Sequence, residues 1–213
     1  QMRQTKAFWN LPIIHALGCA GMGIVLIYVI PLAVEQGLST PAAALTITII
    51  SLVSIVSRLG APVVAEAWGP RKVMAASLSI QALTVLILFW AHDPWMFYLF
   101  AATFGLGFGA EWTGYLEINR RYFGDGPMGS LYGWQVTGAF AGHAVTTFLA
   151  GLVIYVTGSF YPVFVLSALF SAAGLLVIAT LESTSHVLIP DWEDFLPPEA
   201  RSNFLPGPAA GDD

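Results

Sequence analysis

Four ionisable side chains stand inside long apolar runs of this chain: His15, Arg58, Glu111 and His143. A charged group at the centre of a bilayer costs about 2.5–3.5 kcal/mol on insertion scales, so such residues persist where they pack, pair or meet a solute. Arg58 carries a rigid, permanently charged fork that matches a carboxylate. Glu111 can serve as a structural partner or as a group that gains and loses a proton. His15 and His143 suit packed, hydrogen-bonded positions or further polar contacts to a solute, and Gln135 is another polar candidate near His143. As metal ligands, His15, Glu111 and His143 lack any ligand-like local spacing. No nucleophile–base pair stands out either. The expectation is a protein without catalysis, metal or cofactor.

The elements that position these residues follow from composition. Of 213 residues, 56% are hydrophobic and 10% charged, against about 25% charged in soluble domains. A helix satisfies its own backbone hydrogen bonds, and roughly 20 apolar residues carry it across hydrocarbon. Runs of that kind predict spans at 11–34, 42–65, 73–91, 95–117, 129–156 and 161–181. The fold class is therefore an all-α membrane protein, a bundle of six transmembrane helices over 11–181. A cytoplasmic lead-in (1–10) precedes it, and an acidic, Pro-rich cytoplasmic tail (182–213) follows. Turn residues separate the spans, and Ser39 before Pro41 has the form of a helix start.

Basic residues set the orientation. Arg3, Lys6, Arg71, Lys72, Arg120 and Arg121 fall on one side, and the connectors after spans one, three and five have none. The basic side is expected to be cytoplasmic, which puts both ends of the chain there and the bundle in the plasma (inner) membrane. At 1.5 Å rise per residue, His15, Arg58 and Glu111 should lie roughly 9–10 Å inside the basic end, with His143 close to the midplane. Spans three and six hold no ionisable residue, and Gln81 is the most polar residue of the third. Spans one, two, four and five are thus expected to face something polar. Small residues four apart (Gly105 and Gly109, Gly129 and Gly133, Gly138 and Gly142) predict close helix packing. Nothing in the charge pattern suits nucleic acid.

The connector from Arg58 through Leu59-Gly60-Ala61-Pro62 to Glu66-Ala67-Trp68-Gly69-Pro70-Arg71-Lys72 resembles the G-x-L-x-D-R-x-G-R-[RK] loop signature of the major facilitator superfamily. Glu66 stands at its acid, Gly69 at its second glycine, and Arg71 and Lys72 at its basic pair. Pro62 replaces the first glycine and Ala67 the arginine after the acid. The segments Ile30-Pro31-Leu32-Ala33, Gly37-Leu38-Ser39, Phe104-Gly105-Leu106-Gly107, Phe123-Gly124 and Thr157-Gly158-Ser159 resemble the monocarboxylate-transporter and oxalate/formate-antiporter branch.

The resemblance implies helices seven to twelve of a twelve-helix symporter or antiporter, with a missing N-terminal six-helix half as partner and a small organic anion as substrate. In that fold the first, second, fourth and fifth helices of each half line the cavity. The resemblance assigns the substrate carboxylate to Arg58 and a gating loop to Glu66, Gly69, Arg71 and Lys72, with Glu66, Arg71 and Lys72 as its charged latch. Glu111 or His143 would couple protons. Ser54 stands where monocarboxylate transporters have an Asp, and span five lacks the antiporters' Lys. The rival reading is a non-transporting scaffold, sensor or pigment-handling assembly factor, in which His143 between Gly142 and Ala144 takes a flat porphyrin-type ring.

Overall fold

The computed structural model describes residues 2–124, 128–184 and Leu188. Connector residues 125–127 and most of the expected tail (185–187 and 189–213) lie outside the described residues. Six α-helices account for most of what is described: α1 (Lys6–Glu35), α2 (Thr40–Trp68), α3 (Pro70–Thr84), α4 (Pro94–Phe123), α5 (Met128–Thr157) and α6 (Tyr161–Ala179). Short 3-10 turns occupy Met2–Gln4 and Val85–Phe89.

Local chemistry sets the boundaries. Ser39 Oγ accepts from the Ala42 amide at 3.4 Å with Pro41 in the first turn, so the predicted start is the observed one. Thr5 caps α1 in the same way, accepting from the Phe8 amide at 3.3 Å. Gly69, at φ 87°, ends α2 and opens α3, a reversal in a left-handed conformation that a Cβ would strain. The helices outrun the apolar runs that announced them. α1 begins at Lys6, inside the expected lead-in, and α4 reaches Phe123, because backbone hydrogen bonding continues where apolarity stops. The third predicted span instead changes from α to 3-10 winding at Val85.

Five segments are long and apolar enough to cross a bilayer: α1, α2, α3 with its 3-10 extension, α5 and α6. α4 is also 30 residues long but is not among them. Glu111, Glu117, Arg120 and Arg121, with several glycines, lower its apolarity.

Two parallel helix pairs organise the bundle, and glycine makes both. On α4, Gly105 faces the Ile50 carbonyl of α2 and Gly109 the Ser54 carbonyl. On α5, Gly138 faces the Pro12 carbonyl of α1 and Gly142 the Ala16 carbonyl. A Cβ at any of these four positions would stand 2.9 Å or less from a backbone oxygen. Small residues four apart thus let two backbones touch at these two pairs, as the spacing predicted, but Gly129 and Gly133, also four apart on α5, have nothing within 4 Å of an added Cβ. Gly107, on another face of α4, meets the Ser77 carbonyl of α3.

α1 is buried along most of its length. Its own glycines receive polar side chains from three neighbours: Glu111 of α4 at Gly18, Ser171 of α6 at Gly21, and the His143 ring of α5 at Gly23. By contrast, α2 and α5 bury only narrow stripes. Leu52, Val56, Leu59 and Val63 on α2, and Phe140, Phe148 and Tyr155 on α5, are exposed. An apolar surface of that extent is suited to lipid or to a second protein surface, not to water.

The basic end is tied across its helices. Asn10 Nδ2 donates to Thr180 Oγ1 at 2.9 Å, Arg71 Nη2 to the Ala179 carbonyl at 3.0 Å, and the Tyr122 hydroxyl to the Glu182 carbonyl. At the opposite end Gln36 donates to the Tyr161 hydroxyl at 3.2 Å and pairs with His92 Nδ1 at 2.9 Å.

Overpacking of this kind costs about 1–3 kcal/mol. Gly109→Ala and Gly142→Ala should each lower unfolding free energy in bicelles by about that much. Gly60→Ala, on α2 with nothing within 4 Å of the added carbon, should gain about 0.5–1 kcal/mol from helix propensity. Equal effects at all three positions would contradict the backbone contacts.

Candidate functional site

The α2–α4 contact carries directly into the site. One helical turn beyond Ser54 lies Arg58, and one turn beyond Gly109 lie Trp112 and Thr113, so the register places Arg58 beside Trp112. The Arg58 guanidinium sits 5.6 Å from the centre of the Phe108 ring and 5.7 Å from that of Trp112. Contacts of this type contribute about 0.5–2 kcal/mol, and they hold the fork without consuming its N–H donors. Among the described residues no carboxylate ion-pairs with Arg58, and the residue is exposed. At the neighbouring Ser54 the hydroxyl donates to the Ser51 carbonyl of its own helix at 2.8 Å.

His15 closes the other side of Trp112. Its ring stacks on Tyr115 at 3.8 Å, meets Trp112 edge-on at 5.7 Å, and lies 6.2 Å from Tyr132. His15 is fully buried. Neither of its ring nitrogens nor Trp112 Nε1 has a hydrogen-bond partner among the described residues. Buried polar atoms are usually partnered, and three that are not, among the described residues, gather around one aromatic cluster.

Glu111 is elsewhere. The expected Arg58–Glu111 pair is not formed, because Glu111 points from a different face of α4, into α1 and α3. Its carboxylate accepts from Gln81 Nε2 at 2.5 Å and from the Tyr115 hydroxyl at 2.7 Å, and it is fully buried against Gly18. The third helix, which holds no ionisable residue within its predicted span, thus sends Gln81 inward. A second enclosed contact joins α4 to α5: Asn119 Nδ2 donates to Gln135 Oε1 at 2.9 Å, and Gln135 Nε2 to Asn119 Oδ1 at 2.7 Å. Gln135, expected among the substrate ligands, therefore has its amide committed to Asn119 and is 1% exposed.

His143 is half-buried over Gly23. The room that Gly142 was expected to leave beside it is taken by the Ala16 carbonyl of α1. Of the residues expected to form the gate, Glu66 is exposed on α2. Arg71 binds the Ala179 carbonyl at the end of α6, where a cation also favours the helix dipole. Phe108, Trp112, Tyr115 and Asn119 escaped sequence reasoning. The one available signal was their spacing on α4 around Glu111, which does not say which neighbour each face meets.

The sequence model of the Major Facilitator Superfamily matches residues 11–208. The chain belongs to the major facilitator superfamily. Its architecture is that of a membrane transporter family, and members of that superfamily are transporters rather than enzymes. No curated protein matches the sequence.

A buried amide left without its partner costs about 1–3 kcal/mol. Asn119→Leu and Gln135→Leu should each destabilise the bundle by that amount. The double variant should cost less than the sum, with a coupling of about 0.5–3 kcal/mol in a double-mutant cycle. Additive losses would show that the amide pair is not a unit.

Proposed function

We propose that this superfamily member moves a small carboxylate or similar organic anion across the membrane by alternating access, with Arg58 as the anion clamp. In this reading α4 spans the membrane with the other five helices, and the chain acts as the six-helix C-terminal half of a twelve-helix carrier. The basic end is cytoplasmic, and the exposed stripes of α2 and α5 face the N-terminal half.

The observation that supports it most is the state of Arg58. An exposed guanidinium with no carboxylate partner among the described residues rests on Phe108 and Trp112. A structural arginine at such a position would be expected to bind a carboxylate or backbone carbonyls of its own bundle. The aromatic support leaves the fork presented, and a carboxylate guest would take it in a bidentate, charge-assisted contact. His15 and Trp112 Nε1 would supply further polar contacts to the same guest. His143 packs over Gly23, about two helical turns along α1 from His15, and would meet the solute at a different depth.

Glu111 is the candidate for proton coupling. Its hydrogen-bond partners among the described residues, Gln81 and Tyr115, are neutral, and its carboxylate packs against Gly18. A carboxylate enclosed in that way changes its energy strongly on gaining or losing a proton. Tyr115 touches both Glu111 and His15, so the protonation state of Glu111 can be felt at the solute site through one side chain. Arg71 and Glu66 complete the picture at the basic end, with Arg71 holding α6 and Glu66 offered toward the other half.

Hydrogen bonds to charged groups contribute about 1.5–3 kcal/mol, roughly 10- to 100-fold in affinity. In proteoliposomes containing the full-length carrier, Arg58→Ala should weaken uptake affinity for its anion by that factor. Arg58→Lys should recover only part of it, because the fork is lost. Unchanged affinity in Arg58→Ala for every anion carried would remove the clamp.

A further inference from the structure

A cavity of about 460 Å³ opens at the basic end, between the close of α2, the start of α3 and the close of α6. Its lining starts ten residues beyond Arg58 on α2 and includes Gly69, Arg71 and Lys72 of the expected gating loop, but the transport reading gives the cavity itself no ligand. Arg71, Lys72, Ser183 and Thr184 line its outer part, and Trp68 stands at its edge. One helical turn deeper, about 6 Å along the axis, the lining becomes apolar, with Leu175 on α6 and small residues beside it.

We propose that this cavity binds the headgroup of an anionic phospholipid. The polarity gradient matches the ligand: two adjacent cations and two hydroxyl-bearing residues for a phosphate, then an apolar floor for the glycerol and the first acyl carbons. Basic pockets between transmembrane helices on the cytoplasmic side are suited to such headgroups. The helix ends that form the cavity belong at headgroup level, and Trp68, 65% exposed, is the kind of side chain that settles at a membrane interface. Arg71 is held in place by its bond to the Ala179 carbonyl, which uses one of five N–H donors and aims the guanidinium across the junction of α3 and α6. A bound headgroup would therefore bridge the start of α3 and the end of α6, and stiffen the part of the bundle next to the gate residues Glu66 and Gly69. This holds whichever solute is carried.

Two other occupants have related chemistry, a free phosphate ion and an acidic stretch of the chain's own tail, and the test separates them. The full-length protein is placed in nanodiscs of phosphatidylcholine alone or of phosphatidylcholine with phosphatidylglycerol, and its melting temperature is compared. The wild type should melt about 2–4 °C higher with phosphatidylglycerol, and native mass spectrometry should show one retained phosphatidylglycerol. Lys72→Gln should lose most of both. Arg3→Gln, a basic residue of the same end that does not line the cavity, should keep both. Removal of residues 189–213 should also leave the effect in place. The proposal is overturned if the two lipids act alike on the wild type, or if Lys72→Gln retains the preference. It is equally overturned if inorganic phosphate reproduces the shift in detergent, which marks a free-ion site. A preference that arises only after residues 189–213 are removed would assign the cavity to the acidic tail instead.

Discussion

Two backbones in contact set everything else in this bundle. Where Gly105 and Gly109 lie on the Ile50 and Ser54 carbonyls, α4 cannot rotate or slide against α2 without a clash. The same contact fixes which faces of α4 are left for other work. One carries Phe108 and Trp112 to Arg58, and another carries Glu111 and Tyr115 to α1 and α3. In lipid no hydrophobic drive holds helices together, so this close contact relies on dispersion and shape. A single added methyl group therefore has leverage over side chains several turns away.

The polar interior consequently falls into two classes. Enclosed contacts join helices: Glu111 with Gln81 and Tyr115, and Asn119 with Gln135. Each is fully or nearly fully buried, and each supplies partners to groups that lipid cannot satisfy. The presented class is small: Arg58 is exposed on its aromatic support, while the His15 and Trp112 nitrogens of the same aromatic cluster are buried and have no hydrogen-bond partner among the described residues. Tyr115 belongs to both, since it donates to Glu111 and stacks on His15. In the proposed function, that shared residue is the route by which proton binding at Glu111 would reach the solute.

Much of this was legible in the residues, for definite reasons. Helices announce themselves through apolar length, caps through Ser39 and Pro41, and close packing through glycines four apart on α4 and α5. The placement of ionisable groups on α1, α2, α4 and α5 was likewise plain. What could not be read was rotational phase, meaning which neighbour each helix face meets. Arg58 and Glu111 lie at similar depth and opposite charge, yet α4 turns them to different companions. Gln81 stood out as the most polar residue of its span, but only the α3–α4 contact at Gly107 shows that it faces Glu111. Gly18, Gly21 and Gly23 gave no warning either, because a glycine's partner lies on another helix. Gln135 was misjudged for the same reason, its companion Asn119 being sixteen residues away on a different helix.

The division into enclosed and presented polar groups is tested most directly by chemical access. In a Cys19→Ala background, Arg58→Cys and Gln81→Cys are each exposed, in sealed vesicles of the full-length protein, to a small charged thiol reagent. The account predicts rapid modification at position 58 and none at position 81 over the same interval. Modification of position 81 as fast as position 58, or an inert position 58, would contradict it.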